Sequence, residues 1–205
     1  MDQLQQIIAG LGRLAALGRA GLWQAGAEFG LNPAQAGILS HIRQRPQRIA
    51  DLAAHLGVTP ASASDTVAAL VAKGLARRDT DPGDGRARLI SATPRGDEVA
   101  ARIPAAPAAL AEAIAALPCP ERAQMLTSLQ NLIRSLQEAG AIPVQRMCAT
   151  CRFFRPHAHD DAAHPHHCDF VNSAFGEVEL RLDCGDHEMA PADRTAANWQ
   201  RLDAA

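Results

Sequence analysis

The chain contains no tyrosine, only two tryptophans and only five phenylalanines in 205 residues. A core so poor in large rings has to be built from Leu, Ile, Val and Ala, which favours closely packed helices. No run of about eighteen uncharged apolar residues occurs, so no membrane-spanning helix is expected. The opening residues Met1-Asp2-Gln3-Leu4-Gln5-Gln6 lack the basic start and apolar run of a signal peptide, and a cytoplasmic protein is expected. Overall positive charge is missing too, the net charge being −2, so any hold on nucleic acid has to come from how charge is distributed. No acid–base pair or activated nucleophile stands out, and an enzyme is not expected.

The distribution is uneven. Residues 43–95 hold nine Lys and Arg against five Asp and Glu, whereas the segment after residue 140 holds six basic against ten acidic residues. Contact with phosphates is therefore expected in the middle of the chain. The length suits one ordinary domain and a smaller appendage. Composition divides the chain into 1–140 and 141–205, with Ala141-Ile142-Pro143 as the expected hinge. Six of the eight histidines and four of the five cysteines follow it.

Leu4, Ile7, Ile8, Leu11, Leu14 and Leu17 recur at helical spacing and predict a first helix running to about Glu28. Asn32-Pro33 caps a second helix that ends before Pro46, and a third spans about 49–56 and stops at Gly57. Thr59-Pro60 opens a fourth helix, which stops at Lys73-Gly74. Two short helices meeting across Leu56-Gly57-Val58-Thr59 make a helix-turn-helix, whose second helix enters the major groove. Two strands follow, about 75–79 and 86–91, joined by the glycine-rich turn 80–85 as a wing. Thr93-Pro94 caps a fifth helix interrupted near Pro104 and Pro107. Pro118-Cys119-Pro120 separates it from a sixth, which ends at Gly140. The fold expected is mainly α: a winged helix-turn-helix with a small two-stranded wing, plus a small irregular cysteine-rich metal-binding module.

Leu31-Asn32-Pro33-Ala34-Gln35, Ile49-Ala50-Asp51-Leu52-Ala53, Lys73-Gly74-Leu75-Ala76-Arg77-Arg78 and Asp81-Pro82-Gly83-Asp84-Gly85-Arg86 follow one another as in the MarR family, which residues 4–138 resemble. The resemblance implies a homodimer joined through its terminal helices. Its two recognition helices would read a pseudo-palindromic double-stranded DNA operator with half-sites roughly 10 bp apart. It places Arg86 at the wing tip in the minor groove and makes Arg43, Arg77 and Arg88 candidates for phosphate contacts. Asp65 and Ala69 stand where relatives often carry Arg. Ser62, Ser64, Asp65 and Thr66 are then the candidates for base or phosphate contact, Asp65 as an acceptor from cytosine or as a complement to the helix dipole.

The tail reads Cys148-x2-Cys151-x16-Cys168-x15-Cys184. In a reducing compartment four such thiols suggest metal ligands rather than disulfides. A single Cys-x-x-Cys with two distant cysteines departs from the paired knuckles of zinc ribbons and leans towards an iron-sulfur cluster, and the spacing is similar to that of high-potential iron-sulfur proteins, which hold a 4Fe-4S cluster. Zn2+ is the alternative, because His166, His167 and His187 lie near the cysteines as possible ligands or as donors to sulfur. His157, His159 and His164 read as a solvated loop. Phe153, Phe154, Phe170, Phe175, Val178, Leu180 and Leu182 are expected to form an apolar shell, and Cys119 to be a small buried residue.

Two regulatory functions follow. One is a sequence-specific DNA-binding transcription regulator, a repressor by family habit, tuned by an iron-sulfur cluster that senses redox, oxygen or iron status. The alternative is a MarR-type regulator answering a small organic ligand, with structural zinc in the tail. A protein-interaction module and a redox protein using Cys148 and Cys151 directly are the readings from other classes, and the tail lacks a thioredoxin-like strand and helix context for the latter.

Overall fold

The computed structural model describes residues 2–81, 83–104 and 106–204, with the Arg86 side chain outside that description. Compactness divides the chain between Leu117 and Pro118.

The N-terminal unit begins with α1 (Gln3–Ala27), capped by Asp2, whose carboxylate accepts from the Gln5 N–H at 2.8 Å. α2 (Pro33–Gln44) starts at a reciprocal capping box: Asn32 accepts from the Gln35 N–H while the Gln35 side chain accepts from the Asn32 N–H. After β1 (Gln47–Arg48) come α3 (Ile49–Leu56) and α4 (Pro60–Ala72). The chain reverses between them at Gly57, whose φ of 64° lies in the left-handed region that a Cβ disfavours. β2 (Ala76–Asp81) and β3 (Asp84–Ala92) form the wing, and α5 (Pro94–Ala101) and α6 (Ala108–Ala116) complete the unit.

Ile38 and Leu39 from α2, Leu52 from α3, Val67 and Leu70 from α4, and Ile90 from β3 are at most 1% exposed and make one aliphatic core. Each such side chain contributes roughly 1.5–3 kcal/mol of burial, so it is this core that fixes α3 and α4 against the wing. Gly96 on α5 lies so close to the strand entry that a Cβ there would stand 2.0 Å from the Leu75 carbonyl oxygen. The apolar face of α1 is not part of the core: Leu4, Ile7, Ile8, Leu11, Leu14 and Leu17 are all 37% or more exposed.

Two expectations about this unit need correction. The sheet has three strands, not two, in the order β1-β3-β2, because Gln47 and Arg48 pair antiparallel with Ile90 and Leu89. A two-residue strand carries no alternation that a sequence pattern could reveal. β2 and β3 also run further towards the turn than expected, pairing as far as Asp81 and Asp84 across a register shift.

The C-terminal unit starts with α7 (Cys119–Glu138). Within the unit, Ile133 of α7 packs against a cluster of Met147, Ala149 and Trp199. Arg134 pairs with Asp203 at 2.8 Å and lies 4.7 Å over the Trp199 ring. The composition break at 140 thus falls inside a packed body. The tail is also less irregular than expected. It holds a three-stranded antiparallel sheet of β4 (Phe154–Arg155), β5 (His166–Cys168) and β6 (Ser173–Phe175), in that order, and a twelve-residue helix, α8 (Ala192–Asp203). α8 turns only Asn198 and Trp199 fully inward, too few positions to give a periodic signal. No helix among the described residues is long and apolar enough to cross a membrane.

Candidate functional site

α4 presents two unlike faces. Ala63, Val67 and Leu70 are completely buried, while Ser62 and Asp65 are exposed and Ser64 and Thr66 half-buried. Thr59 caps the helix by accepting from the Ser62 N–H at 3.2 Å, and the Thr59 and Ser62 hydroxyls share a further hydrogen bond of 3.0 Å. The Thr66 hydroxyl donates to the Ser62 carbonyl at 2.9 Å, which leaves only its lone pairs for an outside partner. α4 has no basic residue, so its outer face offers hydroxyls and a carboxylate, and positive charge for phosphates has to come from other elements.

The candidate basic groups lie on other elements. Arg43 is exposed in the last turn of α2. On β2, Arg77 Nε donates to Asp79 at 2.9 Å; on β3, Arg88 Nη1 donates to Thr80 Oγ1 at 2.6 Å. Arg77 and Asp79 pair in the open, where solvent screens them, so exchanging the partner for a phosphate contact costs little. Arg86 lies on β3, and its side chain falls outside the described residues.

The wing turn is braced by Asp81. One carboxylate oxygen accepts from the Gly83 N–H at 2.9 Å and the other from Arg48 Nη2 at 2.5 Å. The Gly83 N–H, then Arg48, hold this carboxyl below the usual aspartate range. Arg48 is a wing residue that sequence reasoning missed, because its partner lies 33 positions away and no local pattern links them.

In the C-terminal unit Cys148, Cys151, Cys168 and Cys184 line one cavity of about 230 Å³. Cys148 and Cys151 are brought together by a 3₁₀ turn, with the Cys151 N–H donating to the Cys148 carbonyl at 2.9 Å. Cys168 comes from β5, opposite Phe154 of β4. Two backbone bonds anchor the ends of the set: the Cys148 N–H donates to the Arg181 carbonyl at 3.0 Å, and the Cys184 N–H to the Arg146 carbonyl at 2.9 Å. Phe153, Phe154, Phe170 and Phe175 supply most of the apolar wall. Val178 does not join the shell, since it is 68% exposed. Burial pushes the Cys148 thiol up to about 11, and Cys184, Cys151 and Cys168 add to that shift. Four thiols lining one cavity form a donor set suited to a thiophilic cation.

The histidines are engaged elsewhere, and none of them lines that cavity. His187 shares a 2.9 Å hydrogen bond with Thr150, and His159 one of 3.1 Å with His167. His157, His166 and Glu177 are the one trio of possible ligand atoms within 4.8 Å of one another among the described residues. Both ring nitrogens of the fully buried His166 are already used, however. Nδ1 accepts from the His157 N–H at 3.3 Å and Nε2 lies 2.8 Å from Glu177, an arrangement that ties β5 to the loop before it and to the 3₁₀ turn after β6. A metal on Nε2 would require the proton on Nδ1, where the backbone N–H now points. Burial lowers the His166 pKa, against the opposing pull of Glu177. Cys119 is exposed at the first turn of α7, beside Arg122, contrary to the expectation of burial.

The capped α3-turn-α4 unit, braced wing and antiparallel sheet make the N-terminal unit a winged helix-turn-helix. Residues 29–87 match the MarR family. This segment runs from just past α1 into β3 and includes every candidate DNA-contact residue except Arg88. Solved MarR-like structures agree. CouR from Rhodococcus jostii RHA1, bound to p-coumaroyl-CoA, is 25% identical with a TM-score of 0.53, over 64% of this chain and 92% of its own. The transcriptional regulator BldR from Sulfolobus solfataricus shares the fold at 23% identity and a TM-score of 0.51, over 66% of this chain and 99% of its own. A MarR transcriptional regulator from Methanosarcina mazei Go1 does so at 15% identity and a TM-score of 0.54, over the same shares. Each match leaves about a third of this chain uncovered. No curated protein matches the chain at comparable significance.

Proposed function

We propose that the protein is a dimeric, non-enzymatic MarR-type transcription regulator, a repressor of a pseudo-palindromic operator, whose DNA affinity is tuned by an iron-sulfur cluster held by Cys148, Cys151, Cys168 and Cys184. DNA binding is supported by the MarR match over 29–87, by the outward Ser62 and Asp65 and half-buried Ser64 and Thr66 of α4, and by the exposure of Arg43, Arg77 and Arg88. Arg86 is the wing contact that the MarR resemblance implies. The exposed apolar stripe of α1 supports dimerisation, since a monomer would leave it in water.

One observation carries the cluster. The four cysteines share a single cavity that no histidine lines, with Phe153, Phe154, Phe170 and Phe175 in its wall. An all-thiolate set made of one Cys-x-x-Cys and two distant cysteines departs from the paired knuckles of zinc ribbons and suits a 4Fe-4S cluster. When bound, such a cluster supplies one-electron redox chemistry. The protein holds it through four thiolates and limits water with phenylalanine side chains.

Anaerobic purification, with iron, acid-labile sulfide and zinc measured on the full chain, tests this. The expected result is a brown protein with about four iron and four sulfide per chain. A colourless protein with one zinc and no iron would instead favour the second reading, a regulator answering a small organic ligand with structural zinc. Its support is the CoA ester bound to CouR.

A further inference from the structure

Arg181 meets the cysteine cavity at two sulfurs. Its backbone N–H donates to Cys148 Sγ at 3.2 Å, and its guanidinium donates to Cys184 Sγ at 3.8 Å. Its carbonyl accepts from the Cys148 N–H, so the peptide is locked against the first ligand by a reciprocal pair. Among the residues lining the cavity it is the one cation, the other charged groups being Glu179 and Asp186. Arg146, the next basic residue by the ligands, is bound to Asp183 at 2.6 Å.

We infer that Arg181 sets the reduction potential of the cofactor in this cavity, by stabilising the extra negative charge that one added electron places on the Cys148 and Cys184 sulfurs. This rests on the iron-sulfur reading above. The step is an electron transfer from a one-electron reductant in solution, with no bond formed or broken and no proton required. Reduction makes a cluster held by four thiolates more negative, and that charge spreads onto the sulfurs. A hydrogen-bond donor or a positive charge beside a sulfur favours the reduced state more than the oxidised one and raises the potential. Glu179 and Asp186 act in the opposite sense, which leaves Arg181 to offset them. Apolar phenylalanine walls lower the local dielectric and strengthen both effects. Arg181 is a positioning and tuning residue here, not a ligand.

The sequence places it three residues before Cys184, as Arg181-Leu182-Asp183-Cys184. That spacing lets one residue offer its peptide to the first cysteine of the set and its side chain to the last. Substitution of the side chain removes the guanidinium bond and the charge while keeping the peptide bond to Cys148, so the two contributions separate. Because the Arg181 side chain is on the surface, the fold should tolerate the change.

The experiment is a dye-mediated redox titration with dithionite on the anaerobic, full-length protein, with iron and sulfide measured on every sample. R181L is expected to lower the midpoint so that, at the wild-type midpoint potential, the oxidised-to-reduced ratio rises at least tenfold, equivalent to about 59 mV for a one-electron couple. R181K, which keeps the charge but loses the planar fork, should fall between the two. Equal midpoints in wild type, R181K and R181L at equal iron and sulfide content would overturn the assignment while leaving the cluster standing. Wild-type protein with zinc and no iron would remove the cluster and the assignment together, so the two failures are distinguishable.

Discussion

Cys148→Ser is expected to lose iron and visible absorbance to background and to loosen the C-terminal unit while leaving the winged unit folded. Cys148 stands at the junction of the cavity and the small core of Met147, Ala149 and Trp199, and its N–H and Sγ both bond to Arg181. A unit whose apolar core is this small would depend on the proposed cofactor, since a structural metal site can supply on the order of 10 kcal/mol of folding free energy. Limited proteolysis should therefore cut the variant after residue 140 while residues 29–103 stay protected. A variant that retains iron, sulfide and the wild-type cleavage pattern would remove Cys148 from the ligand set.

The converse lesion is Ile38→Ala. Ile38 is completely buried between α2 and the helix-turn-helix core, and truncating such a residue costs about 2–5 kcal/mol through lost burial and the cavity left behind. That is a large part of the stability of an ordinary domain. Urea unfolding followed by far-ultraviolet circular dichroism should show the main transition moved to lower denaturant, with operator binding weakened in proportion to the unfolded fraction. Cluster absorbance should survive at concentrations where the helices of the winged unit have melted. Loss of the absorbance in step with the helical signal would mean that the two units unfold as one.

The helix-turn-helix was legible because its signals are local. Asn32-Pro33, Thr59-Pro60 and Thr93-Pro94 each place an acceptor side chain just before a proline, and each is a working N-cap, with Asn32, Thr59 and Thr93 accepting from the N–H three residues on. Gly57 likewise marks the turn through its own backbone preference. What was not legible depends on distant partners: the two residues of β1 become a strand only beside β3, and Arg48 becomes a brace only when Asp81 arrives. α8 stayed hidden because its inward residues meet Met147 and Ala149, far away in sequence. The cysteine pattern revealed which residues share a cavity, since ligand spacing survives in sequence. It did not reveal that Arg181 joins them, because an arginine carries no such signature and earns its role only from the loop that brings its peptide to Cys148.

Arg77 and Arg88 show the same limit from the other side. Sequence order singled them out as phosphate contacts, and both are on the surface, but each is held by a neighbouring strand residue, Asp79 or Thr80. Binding DNA means exchanging those partners for phosphate oxygens, which favours low salt and makes affinity fall as salt rises.

The central claim is that the state of the cysteine site controls DNA affinity, and the most direct measurement is an anaerobic binding titration of one operator, selected from a random double-stranded pool, by cluster-loaded and cluster-stripped protein at the same salt concentration. A cofactor that biases two conformations of the dimer should change the dissociation constant by roughly 5–150-fold, the usual range of coupling between sites. Equal affinities for the two forms, with the cluster present in one and absent in the other, would contradict it.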